Sequence, residues 1–164
     1  MIGDPQKSLL SLSDAVKWRE ELRKEGRKLA VTNGCFDLMH RGHATYLFQA
    51  RNCADALLVL INSDASVSAL KGPSRPLVSE TDRAYLLCSL RAVDKVVIFN
   101  SSRCHEELAA LAPDVYVKAG DYTIETLAAE EREALLSCGA DIRFMPFVPG
   151  LSTTGIVEKI LNTR

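Results

Sequence analysis

Residues 28–54 read KLAVTNGCFDLMHRGHATYLFQARNCA. The stretch opens with the apolar run Leu29-Ala30-Val31 and breaks at Asn33-Gly34. A polar loop carrying Asp37, His40 and His43 follows, and an amphipathic run closes it. That order predicts a strand feeding a helix across a ligand-binding turn. Gly34 lets the backbone take a positive φ or approach a ligand closely. Gly42, between the histidines, leaves no Cβ on that face at the expected helix start. A helix N-terminus offers free N–H groups and a partial positive charge, which suit phosphate. Taken alone, an H-x-x-H pair reads first as an ordinary surface turn that happens to hold two imidazoles. Zinc is the next alternative, but no Cys or carboxylate lies nearby at convincing ligand spacing.

Outward from this stretch, strands and helices alternate. Residues 1–7 are expected to fray. Ser13 is expected to cap a helix over 14–25, with Ala15, Val16, Trp18 and Leu22 turned inward and Gly26 as its stop. The helix after the histidines carries Tyr46, Leu47, Ala50 and Cys53 at core spacing. Residues 56–61, ALLVLI, suit a strand buried on both faces of a parallel sheet; it runs out at Asn62-Ser63-Asp64. LKGPSRP at 70–76 is too rich in Gly and Pro for helix or central strand. SETD at 79–82 signals a helix reaching about residue 90, with Tyr85, Leu86 and Leu90 buried. Further strands are expected over 93–99, 115–118 and 142–147, and helices over 106–111, 124–138 and 155–161. The alternation predicts one α/β domain over 1–164 with a parallel sheet of five strands.

A chain of 164 residues is long enough for a real core, and 47% hydrophobic with 25% charged residues is ordinary for a globular protein. A net charge of −1 gives no electrostatic case for nucleic acid. No apolar run approaches membrane-spanning length, and the first residues lack a signal pattern. Five cysteines without C-x-x-C spacing read as reduced thiols. The expectation is a cytoplasmic protein that engages neither nucleic acid nor membrane.

The noteworthy polar residues fall where strands end. His40 and His43 follow the first strand, Asp64 and Lys71 the second, Asp121 the fourth, and Ser152, Thr153 and Thr154 the fifth. The carboxy ends of an open parallel sheet form one crevice. Each residue singly could be a solvated loop residue; together they suit a polyphosphate. Lys71 could swing over phosphates as a point charge. Arg75 and Arg91 are weaker candidates, and Arg83, early in a helix, is equally suited to an ion pair. Ser152-Thr153-Thr154 caps the last helix and offers hydroxyls to phosphate at once.

The string NGCFDLMHRGH closely resembles G-x-F-D-x-x-H-x-G-H, the first signature of the cytidylyltransferase-like nucleotidyltransferases. LKGPSRP, DRAYLL, RAVDKVVIF, VKAGDYT and GLSTTGI follow in order. Together they resemble the D-glycero-β-D-manno-heptose 1-phosphate adenylyltransferase branch, the ADP-heptose synthase domain, over about residues 8–161. The sugar-kinase domain fused to some members is not in this sequence, and Ala119 stands where the family usually has a second glycine.

The resemblance implies a Rossmann-like, doubly wound sheet, ATP and a sugar phosphate as substrates, Mg²⁺ with the nucleotide, and a role in lipopolysaccharide precursor synthesis. It places the catalytic work on His40, His43 and Lys71. Asn33, Gly34, Cys35, Phe36, Lys118, Gly120, Asp121, Ser152, Thr153 and Thr154 would bind nucleotide. Asp37, Asp64, Arg75, Arg83 and Arg91 would face substrate or phosphate, and no protein metal ligand is assigned. A homo-oligomer and a functional partnership with a separate sugar kinase are further expectations. The alternatives are a cytidylyltransferase acting on a polyol or amino-alcohol phosphate, and a nucleotide-binding regulator without catalysis.

Overall fold

The run at residues 56–61 becomes the middle of the sheet, because only a strand with neighbours on both edges and helices on both faces can be apolar throughout. A computed structural model describes residues 3–146 and 148–163. Its strands are β1 (Leu9–Leu10), β2 (Leu29–Gly34), β3 (Ala56–Asn62), β4 (Lys95–Phe99), β5 (Val115–Ala119) and β6 (Asp141–Met145). They form one sheet in the order β1-β4-β3-β2-β5-β6, and every pairing is parallel. All seven residues of β3 are buried. The sheet therefore has six strands, one more than expected from the sequence. The addition is the edge strand β1, whose two residues are too short to show periodicity. The last expected strand reached Phe147, which lies outside the described residues; β6 ends at Met145.

The helices are α1 (Leu12–Lys24), α2 (Arg41–Arg51), α3 (Asp64–Lys71), α4 (Glu80–Cys88), α5 (His105–Leu111), α6 (Ala129–Ser137) and α7 (Thr153–Leu161). Alternate residues of a strand point to opposite faces, and two cores result. Leu29, Val31, Leu58 and Leu60 pack with Ala15 and Leu22 of α1, Leu108 of α5 and Leu135 of α6. Ala30, Leu57, Val59 and Ile61 pack on the other face with Leu47 and Ala50 of α2 and Ala84 and Leu87 of α4. Each fully buried aliphatic side chain contributes about 1.5–3 kcal/mol. Helices thus cover both faces of a parallel sheet, which makes the domain doubly wound.

Several local expectations are corrected. Ser11, not Ser13, caps α1, accepting from the Asp14 N–H at 3.1 Å. Residues 5–8 form a 3₁₀ turn rather than a frayed end, with the Asp4 carboxylate accepting from Gln6 N–H. Residues 64–71 form α3, a helix not expected from the sequence, and its last turn takes in Leu70 and Lys71 from the segment read as non-helical. In α4 the buried positions are Arg83, Ala84 and Leu87, while Tyr85 and Leu86 are exposed. The α6 helix begins only at Ala129, so 124–128 lies outside it, with a turn over 124–126.

Three aspartates fasten the amino edge of the sheet. Asp55, Asp94 and Asp114 each precede a strand and accept from the backbone of the neighbouring one, at Lys28, Leu57 and Leu29 respectively, over 2.7–2.8 Å. Arg51 closes on Asp94 and buried Arg19 on Asp114. At the carboxy edge, strand order reverses about β2: β3 lies on one side and β5 on the other. That reversal opens a crevice outside the ends of β2 and β5.

Candidate active site

Where β2 ends, the chain must turn sharply enough to bring α2 back over the sheet. The residue with positive φ is Phe36 (φ 49), not Gly34. A non-glycine residue in this region costs on the order of 1–2 kcal/mol. The conformation tucks the buried Phe36 ring beneath Gly34, where an added Cβ would lie 3.0 Å from Phe36 Cε2. Gly34 is thus needed for close approach. The Phe36 ring in turn lies 5.4 Å from the His43 ring, tilted by 55°.

His40 occupies the N-cap of α2, and its Nδ1 accepts from Gly42 N–H at 3.0 Å. His43 Nδ1 accepts from His40 N–H at 3.4 Å, and the ring centroids are 4.1 Å apart. With both Nδ1 atoms accepting, each neutral ring carries its proton on Nε2. Burial, helped by His40 and Lys71, lowers the His43 pKa from 6.5 to about 4. At neutral pH His43 is therefore an uncharged N–H donor at a helix N-terminus. A Cβ on Gly42 would meet His40 Cε1 at 2.8 Å, so glycine there is a packing requirement of the pair.

The crevice is a cleft of about 360 Å³. Of the expected residues it brings together Asn33, Gly34, Cys35, Phe36, Asp37, His43, Lys71, Lys118 and Thr153, with Ala119 also on its wall. Asn33 Oδ1 accepts from both Tyr116 Oη and Lys118 Nζ at 2.7 Å, tying β2 to β5 at the switch point. Lys71 ends α3. Thr153, first residue of α7, donates to Leu38 O at 3.2 Å, and Ser152 caps that helix by accepting from Gly155 N–H at 2.9 Å.

Other candidates hold structure around the cleft. Asp37 is buried, and its carboxylate accepts from Arg75 Nη1 at 2.8 Å and from Leu77 and Val78 N–H at 2.8 and 3.0 Å. Burial opposes its ionisation, but Arg75 and the two amides outweigh this and hold its pKa below the usual value. Arg83 is wholly buried and donates to Val78 O, Cys35 O and the Asp64 carboxylate. It thereby fixes the turn after β2. His40, Ser152, Thr154, Gly120 and Asp121 are not among the residues lining the cleft. Gly120, at φ 115, turns the chain out of β5. Arg91 lies between α4 and β4, at the opposite edge of the sheet.

The cleft also includes residues not singled out in the sequence: Asn62, Ser102, Arg103, Tyr122 and Glu131. Asn62, at the end of β3, was foreshadowed by its place at a strand's carboxy end. Glu131 had no signal, being one acid among several in a helix. Among the described residues no group of three or more His, Cys, Asp or Glu side chains could hold a metal ion. The described residues therefore offer no ready-made all-protein cage for a metal ion.

Residues 31–159 match the family model described as cytidylyltransferase-like. The bifunctional protein HldE of Syntrophotalea carbinolica is 42% identical, covering 93% of this chain and 32% of that one. That of Citrifermentans bemidjiense is 45% identical, covering 96% and 31%. The chain thus spans about a third of the length of these relatives. The crystal structure of the lipopolysaccharide core biosynthesis protein from Thermoplasma volcanium superposes with a TM-score of 0.60 at 22% identity, over 75% of this chain and 98% of that one. At that identity the likeness concerns the fold alone.

Proposed function

The chain belongs to the cytidylyltransferase-like family, and from that premise we propose that it is an adenylyltransferase joining ATP to a sugar 1-phosphate. The acceptor is D-glycero-β-D-manno-heptose 1-phosphate, and the products are ADP-heptose and pyrophosphate. The observation that carries the chemistry is His43, held neutral at the N-terminus of α2 and facing a cleft shared with Lys71 and Thr153. The choice of branch rests on LKGPSRP and KAGDY and on the likeness to the HldE proteins over nearly the whole chain.

A phosphate oxygen of the acceptor forms a bond to the α-phosphorus of ATP. The bond from that phosphorus to the α–β bridging oxygen breaks, and its electron pair leaves with pyrophosphate. The attacking oxygen is already anionic, so no general base is required. What the protein supplies is alignment and neutralisation of charge. His43 donates through Nε2–H to an α-phosphate oxygen, Lys71 brings a positive charge to the same group, and Thr153 meets the β/γ end. His40 holds the turn and orients His43. Mg²⁺ bound with the nucleotide would supply further neutralisation of phosphate charge, and no step here depends on a protein site for it. The acceptor is the product of a sugar kinase, which is the functional partner this reading requires.

The test is pyrophosphate release over a panel of nucleotides and acceptors. ATP with heptose 1-phosphate should exceed CTP by at least about tenfold, roughly 1.4 kcal/mol in transition-state binding. Equal or better turnover with CTP and a polyol phosphate would replace this reading with the cytidylyltransferase one. Nucleotide binding without pyrophosphate release would point to a regulator.

A further inference from the structure

Glu131 is 3% exposed, yet it lines the cleft. One oxygen, Oε1, accepts from the Cys104 backbone N–H at 3.3 Å and from the Cys104 thiol at 3.4 Å. Among the described residues it has no ion-pair partner. A carboxylate withdrawn from water without a cation is costly unless something else satisfies it. The Cys104 contacts occupy one oxygen only, and a neutral Gln carbonyl would accept from the Cys104 N–H as well. Among the described residues its second oxygen, Oε2, makes no hydrogen bond, so it is free to accept from a ligand in the cleft. Ser102 and Arg103, the two residues before Cys104, line the same cleft.

Position indicates what that ligand is. Glu131 belongs to α6, which packs with α1 and α5 on one face of the sheet. The histidines belong to α2, on the other face. The Asn33–Lys118 contact lies between them at the strand ends. A carboxylate without an ion-pair partner repels phosphate, so Glu131 suits the neutral part of a ligand better than its phosphate. It is an acceptor grouped with a hydroxyl and a guanidinium. That mixture suits hydroxyl groups, which donate and accept at once.

We propose that Glu131, together with Ser102 and Arg103, is the end of the cleft that reads the hydroxyl groups of the acceptor sugar, with Glu131 as their hydrogen-bond acceptor. This rests on the sugar-phosphate reading above and adds residues that determine acceptor specificity. The phosphate of the acceptor then points back across the switch point towards His43, which places sugar and reacting oxygen at opposite ends of one cleft.

The test uses Glu131→Gln, which keeps the shape and still accepts from Cys104 N–H. A hydrogen bond from a hydroxyl to a charged group is lost, so the KM for the sugar phosphate should rise roughly ten- to a hundredfold, while the KM for ATP stays within about twofold. Acceptors lacking one hydroxyl at a time give the second readout. Wild type should lose a similar factor on at least one of them, and Glu131→Gln should lose little further on that same compound. A rise in the ATP KM with the acceptor KM unchanged would assign Glu131 to the nucleotide and overturn the proposal. No change in either KM would make it a packing residue. Should Glu131→Gln fail to fold, Arg103→Gln replaces an exposed side chain and must itself raise the acceptor KM; an unchanged value would equally overturn the assignment. Wild type inactive with every sugar phosphate would remove the underlying reading, a result visible before any variant is made.

Discussion

His40 and His43 fix each other through the backbone of α2: His43 Nδ1 accepts from His40 N–H while His40 Nδ1 accepts from Gly42 N–H. The arrangement leaves Nε2–H of His43 for the cleft. His43→Ala should lower kcat by about 10²–10³, by analogy with loss of one oxyanion donor. Stability should fall by about 1 kcal/mol or less, since only a reciprocal cap contact is lost. Turnover and thermal unfolding of one purified variant decide the matter. Near-normal kcat with a clearly lowered Tm would make the pair purely structural.

His43 also predicts an acid dependence of stability. Its folded pKa, about 4, lies below the unfolded value of 6.5. Above 6.5 the ring is neutral in both states and the fold has its full stability. As pH falls towards 4 the unfolded chain binds the proton first, and stability declines. Allowing for the solvent that reaches the ring, the loss is about 1–2 kcal/mol. Denaturant unfolding at pH 7 and pH 4.5 should show that extra loss in wild type and not in His43→Ala. An equal loss in both would contradict the stated cause.

Gly42→Ala tests the pair from the backbone side. The new Cβ would fall 2.8 Å from His40 Cε1 and 2.9 Å from Nδ1, so the ring must move. Alanine is otherwise favoured over glycine inside a helix by about 1 kcal/mol. The variant should therefore fold but turn over at least about tenfold more slowly. Unchanged kcat would show that the His40 ring position is immaterial.

Asp37 and Arg75 separate scaffold from substrate contact. Removing the carboxylate in Asp37→Ala leaves the Arg75 guanidinium and two amides unsatisfied. About 3–5 kcal/mol of stability should go with it, read as a drop in denaturant midpoint. A normal midpoint with a raised substrate KM would return Asp37 to the substrate.

The turn from β2 into α2 was legible because three signals coincide there: an apolar strand, a glycine break and an amphipathic run. β3 was legible as an uninterrupted apolar run, and β4, β5 and β6 as short stretches in which apolar residues predominate or alternate with charged ones. β1 was not, because two residues carry no periodicity and its place comes from pairing with β4. α3 was hidden because a short helix running into Gly72 and Pro73 looks like loop when composition is weighed over the whole segment. The misplaced face of α4 has a specific cause: Arg83 takes a core position, satisfied by two carbonyls and Asp64, so the apolar Tyr85 and Leu86 turn outward. Within the cleft, residues carried by the motifs could be named from sequence. Ser102, Arg103 and Glu131 could not, because they meet only when α6 packs beside the loop after β4.

The most direct measurement follows the label of ATP through the reaction. The protein is incubated with heptose 1-phosphate and ATP labelled with ³²P at either the α or the γ position. Attack on the α-phosphorus predicts α-label in the nucleotide sugar and γ-label in pyrophosphate. Transfer of γ-label to the sugar, or no transfer of α-label to it, would contradict nucleotidyl transfer.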